Sequence, residues 1–469
     1  MSWTRFSALG VIAALVGCSQ SSTLAPAPPS GATQAQPSGG GQSTGATQVS
    51  RTFVAPPKRF KKIAHVVIII QENRTTNDLF NALPGADTVR SAKNSQGETV
   101  QLQPVPLTAP YDVSHSHTAF ETEYANGQGN GFDKVGSRCH SNAKCPPPDV
   151  RAYGYVPESE VEPYYVMASR YTFASRMFQT NEGPSFPAHQ YLVSGTSTIA
   201  DGSPLRAAEN PHAPSGGNTG GCDSPPGSLV TLIDQYGQEN QSTYPCFQRN
   251  SLIQLIEAQG LSWHYYQNHL GAGLWNGPDA IKAVWQSPEF STDVVAPPSQ
   301  VLNDIDAGTL ANVVWVTPTS AASDHAGGTN GSGPSWVASV VNEIGKSKYW
   351  KDTAIFVTWD DWGGWYDPIA PQIYNSYELS FRVPLIVISP YAKRHYISTV
   401  QHEFGSILRF TEEAFNLGSL GTTDVRADDL RDCFDFAKAP SNFQVIPAPH
   451  HADYFLRQPV STQEPDDDF

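Results

Sequence analysis

Positive charge is scarce in this chain: 29 Lys and Arg stand against 44 Asp and Glu, for a formal net charge of −15. A chain of that balance repels a nucleic-acid backbone, which excludes nucleic acid as its main partner. An anionic substrate would need a local, strongly positive group, and a bound metal ion is the natural one. Long apolar runs are missing as well. The run Phe6 to Val16 is about a dozen residues, against the roughly 20 that a membrane-spanning helix needs. No internal repeat is present. Residues 19–50 hold neither a charge nor an aromatic ring, so they cannot bury enough apolar surface to offset the entropy of ordering.

What is there begins with an address. Arg5 precedes the short apolar run and Gly17-Cys18 follows it, the layout of a secretory signal. Leu15-Val16-Gly17-Cys18 resembles a bacterial lipobox, whose cysteine becomes the lipid-modified first residue of the mature protein. The expected organisation is a signal over 1–18, a Ser/Gly/Pro/Gln tether over 19–55 and a catalytic domain over 56–469. The expected place is the cell envelope, on a membrane through the lipid at Cys18. Of the other five cysteines, Cys139 and Cys145, and Cys222 and Cys246, form two short-range pairs in Gly/Pro-rich loops. That suits disulfides in an oxidising compartment, and the spacings match no zinc pattern. Cys433 is left over as a buried thiol.

Apolar, β-branched runs alternate with helical stretches. Ile63 to Ile70, Leu310 to Thr317, Ala354 to Trp359 and Pro384 to Ser389 read as buried strands. Ser251 to Gln259, Ser335 to Ile344 and Phe404 to Phe415 read as helices. The rhythm predicts an α/β fold with a mostly parallel sheet covered on both faces, and long insertions at 126–150 and 200–227. Such sheets bind ligands beyond the carboxyl ends of their strands. The residues found there are Glu72-Asn73, Asp360-Asp361 and the loop Ser323-Asp324-His325.

Three carboxylates and an amide suit a hard divalent cation with open positions. Both aspartates can serve one ion only if the strand ends before them, and Trp362-Gly363-Gly364 supplies a turn. The segment Asn181-Glu182-Gly183-Pro184-Ser185-Phe186-Pro187-Ala188-His189 sets a serine between two prolines in what reads as a rigid loop, with Gly183 allowing close approach to a ligand. A metal beside that hydroxyl would activate it for attack. Histidines occur at His115, His117, His189, His325 and His402, and His117 and His325 rank first because polar loops flank them. Either could neutralise a phosphoryl group or protonate a leaving oxygen.

His65 to Arg74, reading His-Val-Val-Ile-Ile-Ile-Gln-Glu-Asn-Arg, resembles the opening motif of the bacterial phosphoesterase family, which includes the non-haemolytic phospholipases C and certain acid phosphatases. The resemblance extends through His115-Ser116-His117, Met177 to Ser197, Tyr349 to Tyr366, Arg382 to Tyr391 and Arg426 to Leu430. It implies an alkaline-phosphatase-like three-layer sandwich. It also implies a divalent metal held by Glu72, Asn73, Asp360 and Asp361 together with Ser185, which is the nucleophile, and phosphate or leaving-group roles for His117 and His325. Two positions depart from the family pattern. Pro368 stands after Tyr366-Asp367 where relatives carry a histidine, and Gln128 stands where many carry a lysine, in a stretch where Asn130 also replaces an aspartate.

The expected function is hydrolysis of phosphate esters through a phosphoserine. The substrate is either a small phosphate ester or a phospholipid headgroup, and a surface binding protein that keeps the fold without turnover is the alternative of another class.

Overall fold

The computed structural model describes residues 60–461; the signal, lipobox and the whole tether lie outside them. Eight strands form the main sheet: β1 (His65–Gln71), β2 (Thr172–Ala174), β3 (Trp263–Tyr266), β4 (Val294–Val295), β5 (Val313–Val316), β6 (Thr353–Trp359), β7 (Leu385–Ile388) and β8 (Tyr396–Ser398). Their spatial order is β4-β3-β5-β1-β6-β7-β2-β8. Only β7 runs against its neighbours β6 and β2; every other pairing is parallel. The two longest strands, β1 and β6, lie side by side in the centre, with Gln71 opposite Trp359. Both therefore end at the same edge.

Helices cover both faces, and side-chain alternation along β6 shows how. Phe356 meets Phe410 of the helix Phe404–Phe415 edge-on, with ring centres 5.0 Å apart. Trp359, three residues on and so on the opposite face, meets Tyr164 of the helix Glu162–Arg170, also at 5.0 Å. Each such aromatic pair adds about 0.5–1.5 kcal/mol beyond its buried area. The three layers expected from the alternating pattern are thus present.

The insertions carry small cores of their own, each hung on a residue next to the strand-end polar cluster. Trp362, immediately after Asp361, packs with Phe120, Phe132, Trp365 and Phe381. Phe186, immediately after Ser185, packs with Phe247, Leu274 and Trp275. Both expected disulfides staple these regions, Cys139–Cys145 and Cys222–Cys246. Cys433 is a buried free thiol, as expected.

Candidate active site

The turn after β1 and the turn after β6 interlock through their backbones. Asn73 adopts a left-handed conformation, φ +61°, which asparagine tolerates better than most residues. Its N–H donates to Asp360 Oδ1 at 3.1 Å, and Arg74 N–H donates to Asp361 O at 3.0 Å. A side chain at Gly363 would collide with the carbonyl of Asn73, and Gly363 itself has φ +60°. Glycine is required there for both reasons. The turn foreseen at Trp362-Gly363-Gly364 is therefore what lets two consecutive aspartates serve the strand edge.

Two buried ion pairs brace these turns. Arg74 pairs with Asp78 at 3.1 Å and also donates to the carbonyls of Asp324 and Leu107. Burial pushes the Asp78 carboxyl up to about 6 against the pull of Arg74. Arg382 grips both oxygens of Asp367 at 2.8 and 2.9 Å. The motif that departs at Pro368 thus retains its aspartate, and that aspartate anchors the framework.

Ser185 is not in a loop. It is the first residue of the helix Ser185–Ser194, fully buried, with Pro184 extended before it. Pro187 is accommodated because the first turn of a helix has no use for its missing N–H. Gly183 also differs from expectation: the space a side chain would need is filled by the Tyr377 hydroxyl and the Ala208 carbonyl, so protein rather than ligand crowds it. Ser185 Oγ donates to Asp361 Oδ2 at 3.2 Å. The helix N-terminus favours negative charge where that oxygen sits.

Around Asp360 the chemistry is that of cation ligands. Glu72, His189 and Asp360 place one ligand atom each within 4.8 Å of the others, all buried. Asn73 Oδ1, Asp360 Oδ2 and His189 Nε2 are buried without any hydrogen-bond partner. Leaving such groups unpaired away from water costs several kcal/mol, and a divalent cation among them removes that cost. The residues present therefore fit a metal. Asn73 turns its amide nitrogen to His115 Nε2 at 2.9 Å, which leaves its oxygen for the ion.

The histidines sort themselves differently from the sequence ranking. His115 stands 3.9 Å from Asp361 Oδ2 and meets the ring of His325 edge-on at 6.2 Å. His115 also lines a cleft of about 260 Å3 together with Ser116, Pro184, Glu209, Asn210 and His212. His117 instead lies between carboxylates, 2.7 Å from Glu239 and 3.6 Å from Glu182. Burial disfavours its charge, but Glu182 and Glu239 outweigh burial and raise its pKa to about 10. It is a fixed cation rather than a proton donor near neutral pH. His189 and His115 are the two residues that sequence ranking passed over. Helical spacing held a signal for the first, since His189 follows Ser185 by four positions and so shares its face.

Comparison with known proteins identifies the chain's relatives. The profile of the Phosphoesterase family matches residues 63–418. Hemolytic phospholipase C of Pseudomonas aeruginosa is 24% identical over 443 residues, 82% of this chain and 57% of that protein. Non-hemolytic phospholipase C of the same organism is 23% identical over 86% of this chain and 62% of that protein. This chain thus spans about three fifths of the length of either. Phospholipase C A of Mycobacterium tuberculosis is 21% identical over 82% of this chain and 80% of its own length. Among solved structures, an alkaline phosphatase superfamily protein from Vibrio parahaemolyticus superposes with TM-score 0.37 and 10% identity, over 79% of this chain and 72% of that one. The lipoteichoic acid synthase LtaP from Listeria monocytogenes gives 0.36 and 7%, over 79% and 77%.

Proposed function

The chain belongs to the Phosphoesterase family, and from that premise we propose that it hydrolyses phosphate esters with Ser185 as nucleophile and a divalent metal held by Glu72, Asn73, Asp360 and Asp361. The observation that carries this reading is the Ser185 hydroxyl, buried at a helix N-terminus and donating to Asp361 beside the ligand set. When bound, the cation would polarise a phosphoryl oxygen and lower the pKa of the attacking hydroxyl.

Ser185 Oγ forms a bond to phosphorus as the ester P–O bond breaks, and its proton passes to Asp361. The departing oxygen takes its proton from His325, whose ring meets that of His115 edge-on at 6.2 Å, because His115 Nε2 accepts from Asn73 and has none to give. Water then cleaves the phosphoserine. Positioned charges of this kind supply most of the acceleration in phosphoryl transfer. His117, ion-paired with Glu239 and Glu182, contributes position rather than a proton, its backbone N–H donating to Glu209 at 3.0 Å.

A phospholipid headgroup is the second reading of the substrate, favoured by the phospholipase C names of the relatives. A lipid anchor at Cys18, which lies outside the described residues, would hold the domain beside such a substrate. The deciding experiment is an assay of the purified protein on p-nitrophenyl phosphate, its bis-ester and phosphatidylcholine, with and without chelator. Hydrolysis of at least one, abolished by chelator and restored by metal, is expected. Loss of none to chelator would overturn metal dependence, and hydrolysis of none would favour a binding protein on the same fold.

A further inference from the structure

We infer that His189 is a ligand of the metal, a nitrogen donor added to the oxygen set at the ends of β1 and β6, and that it biases the site toward Zn2+ over Mg2+. The inference rests on the metal reading proposed above. His189 is fully buried, one helical turn after Ser185.

The ring's protonation follows from its neighbours. Tyr265, on β3, donates its hydroxyl hydrogen to the carbonyl of Trp275 at 2.7 Å. That hydroxyl has no second hydrogen, so toward His189 Nδ1, 3.2 Å away, it can only accept. The proton of the neutral ring therefore sits on Nδ1, and Nε2 presents a lone pair. The lone pair faces Glu72 Oε1 at 3.4 Å and Asp360 Oδ2 at 3.8 Å. His189 Nε2 and Asp360 Oδ2 both present lone pairs and have no hydrogen-bond partner, so their convergence is repulsive until a cation joins them. Donors at zinc distances stand about 3.3 Å apart at tetrahedral angles, which is the scale of the observed separations.

Tyr265 supplies what a metal-bound histidine needs behind it: a partner on the other ring nitrogen that fixes tautomer and orientation. The ring of Trp275 lies nearly parallel to that of His189, with centres 6.3 Å apart, and helps to exclude water. An imidazole suits zinc, whereas magnesium prefers oxygen donors and retains its own waters. A ligand set read as oxygen alone would predict the opposite preference.

The test uses the full chain stripped of metal and titrated with Zn2+ and with Mg2+ by calorimetry. His189→Gln is expected to weaken Zn2+ binding by roughly 10–100-fold while changing Mg2+ binding less than about threefold. Tyr265→Phe, which removes the positioning hydroxyl, should weaken Zn2+ binding about tenfold in the same selective manner. Because His189 is buried and a variant could misfold, X-ray absorption at the zinc edge of the wild-type protein decides independently. One imidazole in the metal's scattering is expected. Zinc bound without imidazole scattering, or equal losses for both metals in a folded His189→Gln, would overturn the role of His189 and leave the proposed hydrolase standing. A wild-type chain that binds neither metal would overturn both.

Discussion

Ser185 and Asp361, 176 positions apart in sequence, meet in a hydrogen bond of 3.2 Å in which the serine donates and the carboxylate accepts. The contact joins the start of a helix to the end of the central strand β6. It assigns the hydroxyl a direction, a proton acceptor and a neighbouring ligand set at once.

Ser185→Ala should therefore abolish turnover, lowering kcat by at least about 10³-fold. The fold should lose no more than about 1–2 kcal/mol, since one buried hydrogen bond is removed. Labelled substrate, or phosphopeptide mapping after a rapid quench, should place phosphate on Ser185 in the wild type. Wild-type rates in the variant would mean that water attacks directly, and the phosphoserine would be withdrawn while metal-dependent hydrolysis remained.

Glu72→Gln and Asp360→Asn should act first on metal occupancy. Ligand carboxylates must be charged to hold a divalent ion, so each neutral variant binds it more weakly. Activity at limiting metal should drop sharply and recover in part when metal is supplied in excess, whereas Ser185→Ala should not recover. Identical metal affinity in all three proteins would remove Glu72 and Asp360 from the ligand set.

A pH effect on stability is expected from Glu412, far along the chain on the helix Phe404–Phe415. Burial pushes its carboxyl up to about 8, Asp424 adds repulsion, and the Leu420 N–H and Arg409 oppose the shift. The folded chain thus keeps a proton that the unfolded chain has already released. The folded state binds more protons across the window from the ordinary carboxylate range to about 8, so stability falls as pH rises through it. Glu412→Gln, which can still accept from Leu420, should flatten that slope and gain on the order of 1–3 kcal/mol over wild type at pH 9. Denaturant melts of both proteins between pH 5 and pH 9 check this; parallel lines would mean that Glu412 titrates alike in the folded and unfolded chain.

The two disulfides should differ in worth. Cys222–Cys246 closes a separation of 24 residues and Cys139–Cys145 one of 6. Chain entropy then suggests about 3 kcal/mol for the first and about 2 kcal/mol for the second. Paired Cys→Ser variants, compared by chemical denaturation, should keep that order. Cys433, buried with its thiol pKa raised by burial and by Asp432, should resist thiol reagents until the protein unfolds.

At the other end of the chain, Cys18 should carry lipid and residues 1–17 should be missing from mature protein. Mass spectrometry of the N-terminal peptide from cell-envelope preparations would establish this. An unmodified Cys18 in secreted material would remove the anchor, and with it the argument that places the domain beside a bilayer.

Much of the architecture was legible in residue order because strand and helix periodicities are local properties. Ile63 to Ile70 reads as a buried strand by length and branching, and Phe404 to Phe415 as a helix by its Ile407, Leu408 and Phe415 face. The parallel rhythm then placed Glu72-Asn73 and Asp360-Asp361 at one edge, where β1 and β6 do end together. Chirality and short connections leave such a pattern few other topologies.

Sequence drew attention to Ser185 through the segment Gly183-Pro184-Ser185-Phe186-Pro187, a weak signal alone, and the resemblance to phosphoesterases made it the nucleophile. Sequence misjudged the backbone: two prolines suggested a loop, yet both fit at the start of a helix, whose first turn requires no N–H from them. Only the tertiary structure decided what each histidine touches. His115 and His117 are two residues apart, and nothing local says that one turns to Asn73 while the other is held by Glu182 and Glu239. Those partners come from segments far apart in the chain. His189 gains its meaning from Tyr265, Glu72 and Asp360, drawn from three different strands or strand ends. Protonation and charge at a buried site are set by whatever neighbours the fold delivers, and that information exists in no single stretch of sequence.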